Sequence, residues 1–195
     1  MSDLSSEIDR ENEIISDLLT LVKMDSTENQ LNISSVNIND MINQLLKVLT
    51  PLAQQKNIDL VFESFRPIEA DVDQVKLSMA INNLIENAIK YNKPGGSVRV
   101  SVYGTDENAY FLVSDTGIGI AEEHLPRLFE RFYRVDKGRS RSMGGTGLGL
   151  AIVKHIAVSM GGTVEVHSKL GEGSEFSVTL PRYFGNETEE EETTD

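Results

Sequence analysis

Apolar residues recur with helical spacing at the beginning of this chain. Between Glu7 and Met24 they form one narrow stripe on an otherwise polar segment: Ile14, Ile15, Leu18, Leu19 and Val22. A stripe of this width is typical of a coiled-coil or bundle seam that needs a partner. We therefore expect an N-terminal helix, followed by a polar linker from Asp25 to Gln30.

Three further segments show a helical period. Asn37 or Asn39 can cap the next helix, and Pro51 predicts that this helix kinks or ends near that position. A long helix is predicted over residues 73–91, and the sequence Asn-Lys-Pro-Gly-Gly directly after it predicts its end. The last helix is predicted over residues 148–159.

The remaining apolar runs predict strands, most of them in hairpins. Residues 58–62 form one predicted strand, residues 97–103 pair with 109–113, and residues 163–167 pair with 175–180. Adjacent hairpins differ from the strict alternation of strand and helix that a parallel sheet requires. The fold class that follows is α/β, a two-layer sandwich of helices on one face of a mixed, largely antiparallel sheet.

The length, charge and composition of the chain exclude or disfavour several classes of function. A chain of 195 residues allows one ordinary domain and an appendage, and no apolar run approaches the length of a membrane span. The net charge of −13 argues against nucleic acid as a partner. There is no cysteine, and the three histidines are scattered, which disfavours a Cys or His metal cluster. The acidic residues 184–195 are expected to form a disordered tail.

The predicted helix over residues 73–91 carries polar side chains opposite its apolar face. Asn83, Asn87 and Lys90 lie together there, one per turn, with Tyr91 at their border. A solvated polar face is the ordinary explanation of such a pattern. The alternative is a cation and phosphate site, in which amide oxygens bind Mg²⁺ and the lysine meets the phosphate charge.

A second candidate motif is Ser114-Asp-Thr-Gly-Ile-Gly-Ile120, which follows a predicted strand. Asp115 at the strand end could accept a hydrogen bond from an adenine amino group, and Gly117 and Gly119 would let the backbone approach the ring. An ordinary turn is an alternative. The triplet Asp-Thr-Gly also occurs in aspartic proteases, but that chemistry needs a second Asp on a mostly β scaffold.

The third motif is glycine-rich, Met143-Gly-Gly-Thr-Gly-Leu-Gly-Leu-Ala-Ile-Val-Lys-His155. It matches neither the dinucleotide fingerprint nor the P-loop pattern. Its alternating glycines suit a backbone that bends closely around a ligand, and the helix that follows can direct its first amides at phosphate. The basic residues before it predict a lid: Arg131, Arg134, Lys137, Arg139 and Arg141. Phe129 and Phe132 are expected to anchor that segment by packing.

Taken in order, these motifs resemble the ATP-binding catalytic domain of sensor histidine kinases of two-component systems, within the GHKL superfamily. The resemblance covers roughly residues 37–181, and its five motifs are residues 83–91, 115–119, 129–132, 145–149 and 171–174. The sequence of residues 131–141 is similar to that of the phosphate-responsive and cell-wall-responsive branch of the family.

The resemblance implies the Bergerat ATP-binding fold, with ATP and Mg²⁺ as cofactors. It implies Asn87 as the metal ligand, and Asn83, Asn87 and Lys90 as the catalytic group. The nucleotide-binding residues that it implies are Asn83, Asn87, Lys90, Tyr91, Asp115, Gly117, Gly119, Ile120, Phe132, Tyr133, Arg134, Arg141, Gly145, Thr146, Gly147, Leu148 and Gly149.

One position at which this chain differs from the related ATPases distinguishes phosphoryl transfer from hydrolysis. The related ATPases place a Glu general base four residues before the metal-binding Asn, and here that position is Asn83. Glu86 is adjacent to Asn87 and is therefore expected to point about 100° away along the helix. Without a base to activate water, transfer to a positioned side chain is favoured.

The acceptor that the family would use is a histidine on a preceding dimerisation helix, yet no histidine precedes His124. We therefore expect residues 1–30 to be the remnant of the second dimerisation helix with a linker, residues 31–183 to be the catalytic ATP-binding domain, and residues 184–195 to be the tail. His124, His155 and His167 are expected to be structural.

The expected partners are the dimerisation and phosphoacceptor domain of the same receptor and, through it, a response regulator, within a homodimer. The expected location is a cytoplasmic domain of a protein anchored in the bacterial cell membrane. The alternative function is a nucleotide-gated interaction module or split kinase, related to anti-sigma-factor proteins.

Overall fold

The computed structural model describes residues 2–26, 30–136 and 144–183. Within those ranges, no helix combines the length and the apolar character that crossing a membrane requires. The elements, in chain order, are α1 (Ser2–Asp25), β1 (Ile33–Asn37), α2 (Ile38–Gln55), β2 (Asp59–Ser64), β3 (Glu69–Asp73), α3 (Gln74–Lys90), β4 (Ser97–Gly104), β5 (Asn108–Asp115), a 3₁₀ helix (Glu122–Arg127), α4 (Gly149–Ser159), β6 (Thr163–Lys169) and β7 (Gly173–Pro181).

The main sheet has five strands in the order β2-β4-β5-β7-β6. β2 pairs with β4 in parallel, and the other three pairings are antiparallel. Both predicted hairpins are present, with Val100 opposite Val113 in one and Val166 opposite Phe176 in the other. The prediction of a mixed, largely antiparallel sheet is confirmed.

Helices α2, α3 and α4 supply the second layer, and their apolar faces bury the core against the sheet. The predicted cap at Asn37 is confirmed, because its side chain accepts a hydrogen bond from the Asp40 amide at 3.1 Å. Asp73 caps α3 in the same way through the Lys76 amide at 3.1 Å. Pro51 does not end α2, which continues to Gln55, so that half of the prediction is wrong.

A second, two-stranded sheet was not predicted. β1 and β3 pair in antiparallel register, with Ile33 opposite Asp73 and Asn37 opposite Glu69. The strand β3 leads directly into Asp73, the cap of α3, and the Asn32 amide donates to the same carboxylate at 3.0 Å. This small sheet therefore fixes the start of α3.

Helix α1 packs on the body of the protein. Leu21 is 1% exposed and belongs to the same hydrophobic core as the sheet and the other helices, with Leu18 and Met24 packed beside it. The predicted single stripe is divided by this contact. Leu18 packs on the core and Ile14 is partly buried, whereas the remaining three are exposed: Ile15, Leu19 and Val22.

Candidate functional site

The polar face of α3 lies beside the glycine-rich loop of residues 144–149. Asn83, Asn87 and Lys90 are all half-buried, whereas Glu86 is exposed. The Asn83 amide donates to the Gly149 carbonyl at 3.3 Å, and the Lys90 ammonium donates to the Gly144 carbonyl. The helix and the loop are therefore in contact along this face.

The loop of residues 115–120 contacts the C-terminal end of α3, directly after Lys90. The Ile118 amide donates to the Tyr91 carbonyl at 3.1 Å, which ties this loop to the C-terminal end of α3. A Cβ atom at Gly117 would overlap that carbonyl and would lie 2.7 Å from Asp115 Oδ1. Ile120 donates its amide to Ser168 Oγ at 2.8 Å, and Gly119 has a φ of 66°, which favours glycine.

Asp115 ends β5 with its carboxylate half-buried. Its Oδ1 accepts a hydrogen bond from the Gly117 amide at 2.8 Å. A Cβ at Gly173 would overlap the Asp115 carbonyl, so the loop that contains Gly171 and Gly173 also closes on this aspartate. Backbone amides of Gly117 and Ser174 therefore approach this carboxylate.

The glycine-rich loop is held in a conformation that needs positive φ angles. Gly145 has a φ of 114° and Gly147 a φ of 73°. A Cβ at Gly145 would overlap the Lys90 ammonium. The Thr146 hydroxyl accepts a hydrogen bond from the Leu148 amide at 3.1 Å, directly before α4 begins at Gly149.

The residues before that loop divide into two groups. Arg134 donates to the Gly144 carbonyl at 3.3 Å and so shares this acceptor with Lys90. Tyr133 instead packs against the 3₁₀ helix, where its hydroxyl is 2.6 Å from His124 Nδ1 and its ring lies 4.4 Å from the Arg127 guanidinium. Arg141, like Lys137 and Arg139, lies outside the described residues.

The two phenylalanines of this segment behave differently. Phe129 packs on the core, with its ring 6.3 Å from that of Phe176, and its predicted anchoring role is confirmed. Phe132 is 55% exposed and has a φ of 64°, so the prediction that it anchors by packing is wrong. Its backbone amide donates to the Gly147 carbonyl at 2.9 Å, which is how it contacts the candidate site.

Sequence reasoning missed a set of polar residues that brace the loop after β5. The Ser97 backbone amide donates to Thr116 Oγ1 at 2.9 Å. The Asn92 side-chain amide donates to the Ser97 carbonyl, also at 2.9 Å. Thr116 Oγ1 also donates to Asn92 Oδ1 at 3.3 Å. The run Asn-Lys-Pro-Gly-Gly signals only a turn, and nothing in it indicates that Asn92 contacts Thr116.

The protein environment disfavours the charged forms of three side chains at this site. Burial lowers the pKa of Lys90, and the neighbouring Arg134 lowers it further. Burial raises the pKa of Tyr91, and it raises the pKa of Asp115 although the Gly117 and Ser174 amides act in the opposite direction. Groups whose pKa values are perturbed by burial in this way cluster at functional sites.

The basic residues of the site fit the phosphates of a nucleotide. Lys90 and Arg134 both direct N–H groups at one acceptor oxygen, the kind of atom that a phosphate supplies. Among the residues that the structure describes, no group of three His, Asp or Glu side chains could hold a metal ion. A cation here would therefore depend on amide oxygens such as that of Asn87 and on the phosphates themselves.

Comparison with known proteins assigns this arrangement to a family. Residues 72–183 match the family described as histidine kinase-, DNA gyrase B-, and HSP90-like ATPase. The chain is 37% identical over 175 residues to the sensor-like histidine kinase SenX3 of Mycobacterium tuberculosis, covering 90% of this chain and 43% of that protein. It is 33% identical over 177 residues to the phosphate regulon sensor protein PhoR of Pseudomonas aeruginosa, covering 91% of this chain and 40% of that protein.

Solved structures of similar proteins share the fold. Full-length ShkA in complex with AMPPNP superposes with a TM-score of 0.78 at 30% identity, covering 87% of this chain and 35% of that one. The mycobacterial sensor histidine kinase MprB gives 0.67 at 29% identity, covering 78% of this chain and 99% of that one. The chain spans less than half the length of the two sensor proteins named above. It belongs to the histidine kinase-, DNA gyrase B- and HSP90-like ATPase family and contains a catalytic ATP-binding domain of the histidine-kinase type.

Proposed function

We propose that this chain binds Mg-ATP and donates the γ-phosphoryl group to a histidine on a dimerisation helix outside these 195 residues, within a two-component receptor. The observation that carries this proposal is the position of α3 between two glycine loops. Its polar face contacts Gly144 and Gly149 on one side, and its end contacts Ile118 on the other.

In this proposal the loop after β5 receives the base of the nucleotide. The Asp115 carboxylate accepts a hydrogen bond from the adenine amino group, and the backbone at Gly117 and Gly119 lies against the ring. Support comes from the burial of Asp115 and from the close approach of the Tyr91 carbonyl, which leaves no room for a side chain at Gly117. Tyr91 and Ile120 border the same space.

The side of α3 that faces the glycine-rich loop receives the phosphates. Lys90 and Arg134 would exchange the Gly144 carbonyl for phosphate oxygens, and the Thr146 hydroxyl and the amides of residues 147–149 complete the loop side. Asn87 would bind Mg²⁺ through its amide oxygen, with Asn83 one turn away in support. The cation, when bound, neutralises phosphate charge and orients the triphosphate.

The absence of a general base at α3 favours transfer over hydrolysis. Position 83 is an asparagine whose amide contacts Gly149, and Glu86 is exposed on a different face of the helix. Neither side chain is placed to deprotonate a water beside Asn87. In the transfer, an imidazole nitrogen of the acceptor forms the new P–N bond as the bond to the ADP oxygen breaks.

The wider assembly follows from the same proposal. Residues 1–30 contain part of a dimerisation hairpin, and residues 31–183 are the catalytic domain. The exposed stripe of Ile15, Leu19 and Val22 would face the rest of the hairpin in a homodimer. The receptor is proposed to be anchored in the bacterial cell membrane with this domain on the cytoplasmic side, and to pass the phosphoryl group to a response regulator.

A transfer assay with radiolabelled ATP and Mg²⁺ tests this function. The chain alone should acquire no stable label, and addition of a separately produced phosphoacceptor domain from the same receptor should give acid-labile label on that domain. Asn87→Ala should reduce the rate of labelling at least about a hundredfold, the loss typical when a group that acts in the transition state is removed.

Glu86→Ala is the matched control for that variant. Glu86 is adjacent on α3 but exposed, so its loss should leave the labelling rate unchanged. Label on His124, His155 or His167 of the chain itself would contradict the proposed roles. So would release of inorganic phosphate at the same rate with and without the acceptor domain.

A further inference from the structure

Helix α1 contacts the candidate phosphate loop as well as the core. Leu21 anchors the helix at 1% exposure, and Leu18 and Met24 pack beside it. On the same face, the Thr146 hydroxyl donates a hydrogen bond to Asp17 Oδ2 at 2.6 Å. A residue of the N-terminal helix is therefore bonded to a loop residue that the proposed function assigns to the nucleotide.

The Thr146 hydroxyl has no further proton to donate once it makes this hydrogen bond. Its single O–H is directed at Asp17, and its oxygen already accepts from the Leu148 amide at 3.1 Å. A phosphate oxygen is an acceptor, so it competes with Asp17 for that O–H. It also competes with the Thr146 oxygen for the Leu148 amide at the beginning of α4.

Two other carboxylates of α1 lie near basic side chains of the body. Asp25 is 2.7 Å from the Arg131 guanidinium and 3.6 Å from His155 Nδ1 on α4. Glu13 lies close enough to Lys90 for its charge to raise the pKa of that ammonium, against the larger lowering by burial and by Arg134. Through Asp17 and Glu13, the docked helix therefore presents negative charge at Thr146 and Lys90, where the triphosphate would bring more.

We propose that α1 is an autoinhibitory latch: its docking through Asp17 and the binding of nucleotide phosphates at Thr146 oppose each other. The inference rests on the proposed function, because it needs the nucleotide phosphates at this loop. Coupling between two binding events is reciprocal. Docking of α1 thus weakens nucleotide binding, and nucleotide binding loosens α1 and frees it for other contacts.

Asp17→Ala in the full chain tests the latch, with Glu11→Ala as the matched control. Glu11 is an exposed carboxylate on the same helix, so both variants change the net charge equally. Isothermal titration with AMP-PNP and Mg²⁺ should show an affinity at least about fivefold higher for Asp17→Ala than for the wild type, the lower end of typical couplings. Glu11→Ala should match the wild type.

A distance measurement supplies the second readout. The chain has no cysteine, so spin labels can be placed through Glu7→Cys on α1 and Val158→Cys on α4, both exposed positions. Addition of AMP-PNP and Mg²⁺ should lengthen or broaden the distance distribution between the labels. In the Asp17→Ala background the distribution should already be broad without nucleotide.

The outcomes separate the two proposals. Equal affinity in all three proteins, or an equal gain in Asp17→Ala and Glu11→Ala, overturns the latch and leaves nucleotide binding intact. A nucleotide-independent distance distribution overturns it as well. Failure of all three proteins to bind AMP-PNP overturns the proposed function, and the latch with it.

Discussion

Replacement of Asp115 by asparagine tests the base-binding end of the site with a minimal change of shape. Asparagine keeps an oxygen that can accept from the Gly117 amide, as Asp115 Oδ1 does at 2.8 Å. What is lost is the negative charge and one of the two carboxylate oxygens. In the proposed complex, the oxygen that faces the adenine amino group can be replaced by an NH₂ group, which cannot accept.

The magnitude follows from the strength of a hydrogen bond to a charged group, about 1.5–3 kcal/mol. Because about 1.4 kcal/mol corresponds to a tenfold change in affinity, Asp115→Asn should weaken AMP-PNP binding by roughly ten- to a hundredfold. The same loss is expected for ADP, since the contact lies at the base and not at the phosphates.

The stability of the nucleotide-free protein should change in the opposite direction. Burial raises the pKa of Asp115 above 3.8, so the folded state binds this proton more tightly than the unfolded state does. Ionised Asp115 therefore lowers stability at neutral pH, and asparagine removes that cost. The advantage of the variant should shrink as the pH falls through the raised pKa and should vanish below about 3.8.

Titration calorimetry and thermal unfolding, run on the same preparations, measure both effects. Glu175→Gln is the matched control, because it makes the same chemical change one strand away, where the carboxylate accepts from Ser114 Oγ at 2.6 Å. That variant should keep its affinity for AMP-PNP. Unchanged affinity in Asp115→Asn would refute the adenine role, and a loss of neutral-pH stability would refute the account of its burial.

Two further substitutions test the packing around the site. Gly117→Ala places a Cβ 2.7 Å from Asp115 Oδ1, so the free energy of unfolding in urea should fall by about 1–3 kcal/mol and the affinity for AMP-PNP should weaken. Gly104→Ala is the control, because its Cβ meets its nearest atoms at 3.4 Å. Equal behaviour of the two variants would contradict the clash. Leu21→Ala should lower the free energy of unfolding by about 2–5 kcal/mol, because Leu21 is 1% exposed in the core. Leu19→Ala, at 54% exposure on the same helix, should cost under about 0.5 kcal/mol, and a similarly small effect at Leu21 would mean that α1 is not docked in solution.

The elements that the sequence predicted correctly are those with a strong local period. Helix α3 repeats its apolar positions over four turns, and both hairpins alternate around short polar turns, so each pattern is contained within one stretch of chain. The strands β1 and β3 were missed because Ile-Ser-Ser-Val-Asn and Glu-Ala-Asp-Val-Asp lack a hydrophobic face of useful length. They are stabilised by pairing with each other, which propensity does not predict.

The candidate site could be predicted only to the extent that it lies in continuous motifs. The three polar residues of α3 follow from helical spacing, and the glycine loops follow from composition. The contact of Asp17 with Thr146 joins residues 129 positions apart, and no local pattern encodes it. Phe132 has a positive φ angle and donates its amide to the Gly147 carbonyl, a contact with another part of the chain that its local sequence does not indicate.

The position of a bound nucleotide tests the central claim most directly. A crystal structure of this chain with AMP-PNP and Mg²⁺ should place the adenine amino group within hydrogen-bond distance of Asp115 and the cation on the Asn87 amide oxygen. Lys90 should have exchanged the Gly144 carbonyl for a phosphate oxygen. A nucleotide bound away from the polar face of α3, or bound with its base at residues 144–149, would contradict the account.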